Sequence, residues 1–386
     1  MIVAILGAVI LLGVFLTHFS KKTGWPLALV LMLLGLIVGP VLGLVDPQSI
    51  QGFAHSFAII ALVLVLFDTG YDIKIHKIKN AILESTGLAL IGVISTLFVV
   101  TLIGKFLLGF DIYLSILFGA LLASTDLTVI APLMNNLKLK QKVKDSLDIE
   151  ATLNSVFAAV VAIVAATMIT YSTNVVEALS RGLFYHVLTG VAVGLMLGWI
   201  LLKGVMHLDF EDMPAIVTVG AVLVVFAATE LIGASGVVAA LIVGLLYGNV
   251  KPAPPKFVMF FGENLQMILV TFVYILLGIM ITFDAFINSA LLVVILITAI
   301  ILIRFVTVKI VTLKESLLAQ RVIGIAGPRG IISAILVLSY AHFFPDPNLI
   351  ISLGFAVILC TSLIVFLLPF IQKKTNPRVK GSLTRI

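Results

Sequence analysis

Gly327-Pro328-Arg329-Gly330 interrupts a stretch, 317–342, that is otherwise apolar enough to be a membrane span. Two glycines and a proline free backbone groups from a helical ladder. A guanidinium at mid-span costs about 2.5–3.5 kcal/mol on insertion scales. Neither feature is tolerated against lipid; such a break must be buried in protein or line a watery cavity. What faces it therefore decides the fold. Leu36-Ile37-Val38-Gly39 recurs as Leu241-Ile242-Val243-Gly244, and Gly43 matches Gly248 at the same offset of 205 residues. Gly70 has a counterpart in Gly278 at an offset of 208. The offset of 205 relates the Gly-Pro-Arg-Gly break to Ser124-Thr125-Asp126, an acidic interruption in the apolar stretch 111–135. Copies of each element lie seven spans apart, an odd number, so they cross in opposite directions. That is the inverted repeat of secondary transporters, whose substrate site lies near the midplane between broken helices. One acidic and one basic break are expected to meet near the centre.

The rest of the chain agrees with a membrane setting. Of 386 residues, 61% are hydrophobic and 11% charged, with a mean hydropathy of +1.27. A soluble domain carries about 25% charged residues. At about 20 residues per crossing, the expected spans are 2–19, 25–44, 53–70, 82–108, 111–135, 148–170, 183–202, 214–230, 234–250, 260–282, 286–308, 317–342 and 347–371. The fold class is thus all-α and polytopic, with about thirteen transmembrane helices, an inverted-topology repeat and two discontinuous crossing helices. Twenty of the 24 basic residues fall in connections on one side, among them Lys74, Lys77, Lys138, Lys140, Lys144 and Lys309. Lys105 and Arg181 lie on the other side, and Arg304 and Arg329 lie within spans. By the positive-inside rule the N-terminus is outside and the C-terminus cytoplasmic. The net charge of +6 reads as topology and lipid contact, not nucleic-acid binding. Residues 1–19 lack the basic start and small-residue cleavage site of a signal peptide and read as the first span. The absence of a targeting segment suits a prokaryotic plasma membrane.

Asp126 follows Thr125 inside a span. A carboxylate, a hydroxyl and unwound carbonyls form a hard-oxygen site suited to Na⁺, K⁺ or H⁺. Burial disfavours a bare ionised carboxylate, so a proton and a cation compete for it, and that competition suffices for exchange. The plainer reading is an aspartate that caps a broken helix. Glu150 and Asn154, four residues apart, share a helical face, and Ser155 adjoins them. Glu150 reads as the counter-charge of Arg329, because each needs one in a buried setting. Asp68 sits close to the cytoplasmic end of its span, either as an interfacial residue beside Lys74 and Lys77 or as an outer ligand. Glu230 and Arg304 read as residues near span ends that pair between helices.

These elements resemble the monovalent cation/proton antiporters, specifically the archaeal and bacterial branch of the sodium/proton exchangers. The resemblance rests on Thr125-Asp126, Glu150-x-x-x-Asn154, Glu230-Leu-Ile-Gly-Ala-Ser-Gly236, Gly244-Leu-Leu-Tyr-Gly-Asn249, Arg304 and Gly327-Pro328-Arg329-Gly330, in that order. It implies a single transporter unit over 1–376, with a mobile bundle (82–170 and 286–371) moving against an interface part (1–70 and 183–282). It implies a homodimer, no cofactor and no enzymatic activity, with the cation and the proton as cargo. Asp126, Thr125 and Ser155 would hold the cation, with Asn154 and Asp68 completing the site. Glu150 and Arg329 would pair structurally. Two departures stand out. The family's Asn-Asp is here Asn154-Ser155, and the proline of its Thr-Asp-Pro is here Leu127. A serine can coordinate a cation but supplies no charge. Sole exchange at Asp126, altered ion selectivity and loss of transport all remain open at this stage, as does a channel or uniporter on the same scaffold.

Overall fold

The computed structural model describes residues 2–23, 25–75, 84–126, 141–171, 179–207, 214–250, 256–312, 320, 323–325 and 327–375. These are mostly helical, and no strand occurs among them. The expected residues 127–135 of the fifth span, Leu127, Lys138, Lys140 and the tail 377–386 lie outside the described residues.

In chain order the helices are α1 (Ile2–Thr23), α2 (Leu27–Leu36), α3 (Pro47–Asp72), α4 (Glu84–Phe106), α5 (Ile112–Leu121), α6 (Gln141–Tyr171), α7 (Thr189–His207), α8 (Pro214–Leu231), α9 (Gly236–Asn249), α10 (Lys256–Ile279), α11 (Phe283–Asn288), α12 (Ala290–Val311), α13 (Ile331–Tyr340) and α14 (Pro347–Thr375). A π-helical turn, Ile37–Val41, extends α2 through Pro40. Another, Leu179–Leu188, leads into α7. Among the described residues six helices are long and apolar enough to cross a bilayer, and others are shorter apolar helices of 10–17 residues. The chain is a multi-pass membrane protein.

Small residues let the helices approach closely, because apolar burial gives no net drive between helices in lipid. α2 packs on α10, and α3 packs on α9. Gly35 and Gly278 face each other at the first crossing. Gly70 lies against Leu241 of α9, and Gly244 against the Phe67 carbonyl of α3. All of these glycines except Gly35 were legible as repeat positions; the crossings show that each serves an approach too close for a Cβ.

The Glu230–Gly236 segment is a helix-to-helix turn. Gly233 takes φ +72°, a left-handed conformation that favours glycine. The Glu230 carboxylate accepts the Gly236 amide at 2.8 Å, and the Ser235 hydroxyl oxygen accepts the Val238 amide at 3.3 Å. Both satisfy donors at the start of α9 that have no intrahelical partner. Glu230 is therefore a capping residue.

Beyond the packed crossings, α4, α5, α6 and α12 form one group of neighbours, with α13 against α3, α10 and α14. This arrangement brings both sequence interruptions to one place. Replacing Gly244 with valine should cost about 1–3 kcal/mol through overpacking, read as a lower unfolding midpoint in detergent. Gly52→Ala, whose new methyl meets open space, should leave that midpoint unchanged or slightly higher.

Candidate functional site

α5 ends at Leu121, and Ser124-Thr125-Asp126 continues as non-helical chain. α13 begins at Ile331 after the non-helical residues 327–330. The two irregular segments lie side by side. The Asp126 amide donates to the Pro328 carbonyl at 2.9 Å, and the Ser333 hydroxyl donates to the Ser124 carbonyl at 3.4 Å.

The charged side chains are exchanged between the breaks. Asp126 Oδ2 accepts the amide of Ile331, the first residue of α13, at 3.0 Å. Arg329 Nη1 donates to the Ala123 and Ser124 carbonyls at 2.8 and 3.3 Å, just past the end of α5. An anion thus sits at a helix N-terminus and a cation beside a helix C-terminus, the favourable sense for both helix dipoles. Arg329 also donates from Nη2 to the Thr96 hydroxyl at 3.3 Å, and its backbone amide donates to Thr361 Oγ1 at 3.1 Å. The capping reading of Asp126 is therefore correct in a specific form: it caps the helix of the opposite break.

Asp126 is 8% exposed, and that remainder opens on a cavity of about 150 Å³. Asp68, Asp72, Asp148, Thr125, Ser155 and Gln266 also line it. Thr152 and Ser155 follow Asp148 at i+4 and i+7, so one face of α6 supplies a carboxylate and two hydroxyls to the same wall. Asp68 sits on the cavity wall at the C-terminal end of α3. The participation of Asp72 and Asp148 was missed from the sequence. Their helical spacing from Asp68 and Ser155 was the available signal.

Asn154 and Ser155 brace the acidic break. Asn154 Nδ2 donates to Thr125 Oγ1 at 2.8 Å and to Glu150 Oε1 at 3.1 Å. The Ser155 hydroxyl lies 3.1 Å from the Ser124 hydroxyl and 3.4 Å from the Thr125 carbonyl oxygen. Position 155 therefore touches the segment that carries Asp126.

The expected pairing of Glu150 with Arg329 is corrected. Glu150 is held by Arg304 of α12: Nη1 binds Oε1, and Nη2 binds Oε2 at 2.9 Å. Arg304 also donates from Nη2 to the Ile323 carbonyl at 3.2 Å. α4 packs on both α6 and α12 and so brings Arg304 to Glu150, while Arg329 is committed to the end of α5. The pair is deeply buried, with Glu150 1% and Arg304 6% exposed. Such a bidentate contact is the geometry in which an Arg–carboxylate pair best offsets its desolvation.

Both glycines of the basic break make room for charge. A Cβ on Gly330 would overlap the Asp126 carboxylate, and one on Gly327 would come 2.9 Å from Arg304 Nε. On the other side of the pair, Gly92 of α4 leaves space beside Arg304 and Glu150.

A family model described as "Sodium/hydrogen exchanger, transmembrane" matches residues 7–371. The K(+)/H(+) antiporter NhaP2 of Shewanella baltica is 25% identical over 249 residues, covering 62% of this chain and 42% of its own length. The K(+)/H(+) antiporter NhaP of Alkalimonas amylolytica is 23% identical over 284 residues, covering 72% of this chain and 49% of its own. The chain thus spans less than half the length of these two relatives. Na(+)/H(+) antiporter 1 of Methanocaldococcus jannaschii is 25% identical over 355 residues, or 87% of this chain and 82% of that protein. The solved structure of the sodium proton antiporter MjNhaP1 from the same organism superposes with a TM-score of 0.82 at 22% identity, covering 94% of this chain and 98% of that one. The two share a fold.

A double-mutant cycle between Glu150→Gln and Arg304→Gln should show a coupling on the order of 2–3 kcal/mol in unfolding free energy. The corresponding cycle between Glu150→Gln and Arg329→Gln should give a clearly smaller coupling.

Proposed function

The chain belongs to the sodium/hydrogen exchanger family, and on that footing we propose that it is a secondary active antiporter exchanging a monovalent cation for H⁺ across the plasma membrane. It is a transporter, not an enzyme. Na⁺ is the first candidate cation; K⁺ is the alternative carried by the names of two relatives.

The observation that carries this reading is the position of Asp126. Its carboxylate is held where two helix breaks cross and borders a cavity lined by further carboxylates. An ionised carboxylate there attracts a cation through the acidic cavity, and a proton competes for the same oxygens. Thr125 and Ser155 add neutral oxygens, and Asn154 orients the Thr125 hydroxyl. Asp68, Asp72 and Asp148 raise the local cation concentration at the mouth. Occupancy by either cargo removes bare negative charge from the site and lowers the cost of carrying it through the hydrophobic interior. Alternating access couples the fluxes because one carboxylate cannot carry both cargoes together.

The same reading assigns thirteen crossings, an N-terminus outside and a cytoplasmic C-terminus. The cavity, at the C-terminal end of α3 and near the N-terminal end of α6, then faces the cytoplasm. The reciprocal crossings, α2 on α10 and α3 on α9, support the inverted repeat. The mobile bundle would comprise 82–170 and 286–371, which includes both breaks and the Glu150–Arg304 pair. The interface part, 1–70 and 183–282, would support a homodimer.

Protein reconstituted in liposomes with an internal pH dye should show proton movement evoked by Na⁺ or another of Na⁺, K⁺ and Li⁺. The signal should persist with the membrane potential clamped at zero and vanish in Asp126→Asn. Cation flux without obligatory proton movement would identify a channel instead. Ser155→Asp places a second carboxylate beside the Thr125 carbonyl. It should lower the apparent KM for the cation several-fold, measured in the same liposomes.

A further inference from the structure

α3 and α13 pack on each other, and their contact has two ends. At one end Val65 and Ile331 line the cavity that Asp126 borders. At the other, His55 of α3 meets His342, in the 3₁₀ turn Ala341–Phe343 that continues α13. The two ring centres are 4.8 Å apart and the ring planes cross at 82°. The paths from Ile331 to His342 and from Val65 to His55 are each about 15 Å long at the helical rise. The helices therefore run antiparallel, and the histidines lie on the far side of the breaks from the cavity. His342 is exposed, His55 is half-buried, and the turn leads into the exposed Pro345-Asp346 connection. The pair thus lies at the rim, within reach of water.

Edge-to-face packing alone needs no nitrogen; Phe53 and Phe57 pack as hydrocarbon rings on the same helix. What imidazole adds is a basic ring nitrogen, the commonest protein ligand for metals. Tetrahedral Zn–N bonds of about 2.0–2.1 Å put two imidazole centres about 5 Å apart. The spacing found here is close to that value. The χ2 torsion of histidine is soft, so rotation can aim one nitrogen of each ring at a shared point. Among the described residues no third His, Cys, Asp or Glu joins them in a metal-binding group. Water would complete the shell, and the ion would exchange readily. Imidazole suits Zn²⁺, Cu²⁺ and Ni²⁺, whereas Mg²⁺ and Ca²⁺ take oxygen ligands.

We propose that His55 and His342 form a binding site for a divalent transition-metal ion, which clamps α13 to α3 and inhibits exchange. The proposal rests on the antiporter reading above, in which α3 belongs to the interface part and α13 to the mobile bundle. A contact across that boundary changes when the bundle moves. An ion that binds only where the rings are together favours that state, by about a hundredfold at one hundred times its dissociation constant. The site is distinct from the one for the transported cation. It is built of nitrogen rather than oxygen, and it lies at the opposite end of the α3–α13 contact.

The test is a Zn²⁺ titration of tag-free protein in the liposome assay, with Mg²⁺ at the same concentrations as the control. Saturating Zn²⁺ should slow exchange at least about tenfold, a chelator should restore it, and Mg²⁺ should do neither. His55→Ala and His342→Ala should each keep the metal-free rate within about twofold and need at least about tenfold more Zn²⁺ for the same inhibition. His186→Ala, on the π-helical turn before α7, should keep the original sensitivity. Thermal unfolding in detergent gives a readout independent of transport: Zn²⁺ should raise the midpoint of the unaltered protein and of His186→Ala, and much less that of either other variant. No Zn²⁺-induced rise, or an equal rise in His55→Ala and His342→Ala, overturns the site. A rise confined to proteins with both histidines, but without inhibition, overturns the clamp. The two readings fail separately, because absence of exchange in the unaltered protein removes the antiporter reading while the unfolding midpoints still decide the metal site.

Discussion

Two interrupted helices can be kept inside a membrane protein only if the backbone groups at their broken ends find partners. Here each break supplies the charge that the other requires. Asp126 meets the amide that opens α13, and Arg329 meets the carbonyls that follow α5. The exchange fixes the relative position of the breaks more tightly than apolar packing would, because hydrogen bonds to ionised groups are directional and strong. It also draws a carboxylate to the centre of the structure and leaves it open on one side to a cavity. The group that joins the two breaks is therefore also the one that reaches the cavity.

The surrounding shell protects this arrangement. Glu150 and Arg304 neutralise one another a short distance away, and Asn154 connects that pair to the acidic break through Thr125. A buried pair of this kind is weak support for net stability, since desolvation offsets most of its attraction. Its position suggests a different value: it ties α6 to α12 and sets the rotation of α6, so that Ser155 and Asn154 face the break. Gly327 and Gly330 are as necessary as the charges, because the guanidinium of Arg304 and the carboxylate of Asp126 occupy the space where their side chains would be.

Much of this was legible in the chain. Hydropathy and the one-sided lysines pointed to a polytopic helical protein, and the recurrence of Leu-Ile-Val-Gly directed attention from Arg329 to Asp126. Glu150 and Asn154 were recognisable as a buried polar face. The choice of Arg329 as partner for Glu150 was the error. Both arginines are buried cations within spans, and spacing along the chain carries no information about which one a distant helix brings near. Asp72 and Asp148 were passed over for a related reason: near span ends they look like ordinary interfacial acids until their helices converge on one cavity.

Composition and periodicity settle the solvent of this protein, its helical class and the identity of its central charges, because those follow from the cost of placing polar groups in hydrocarbon. Partnership follows from helix packing. Whether Arg304 or Arg329 reaches Glu150 depends on rotations and close crossings set by glycines far away in the chain. Those are properties of the assembled helices, for which residues hundreds of positions apart must be brought within a few ångströms.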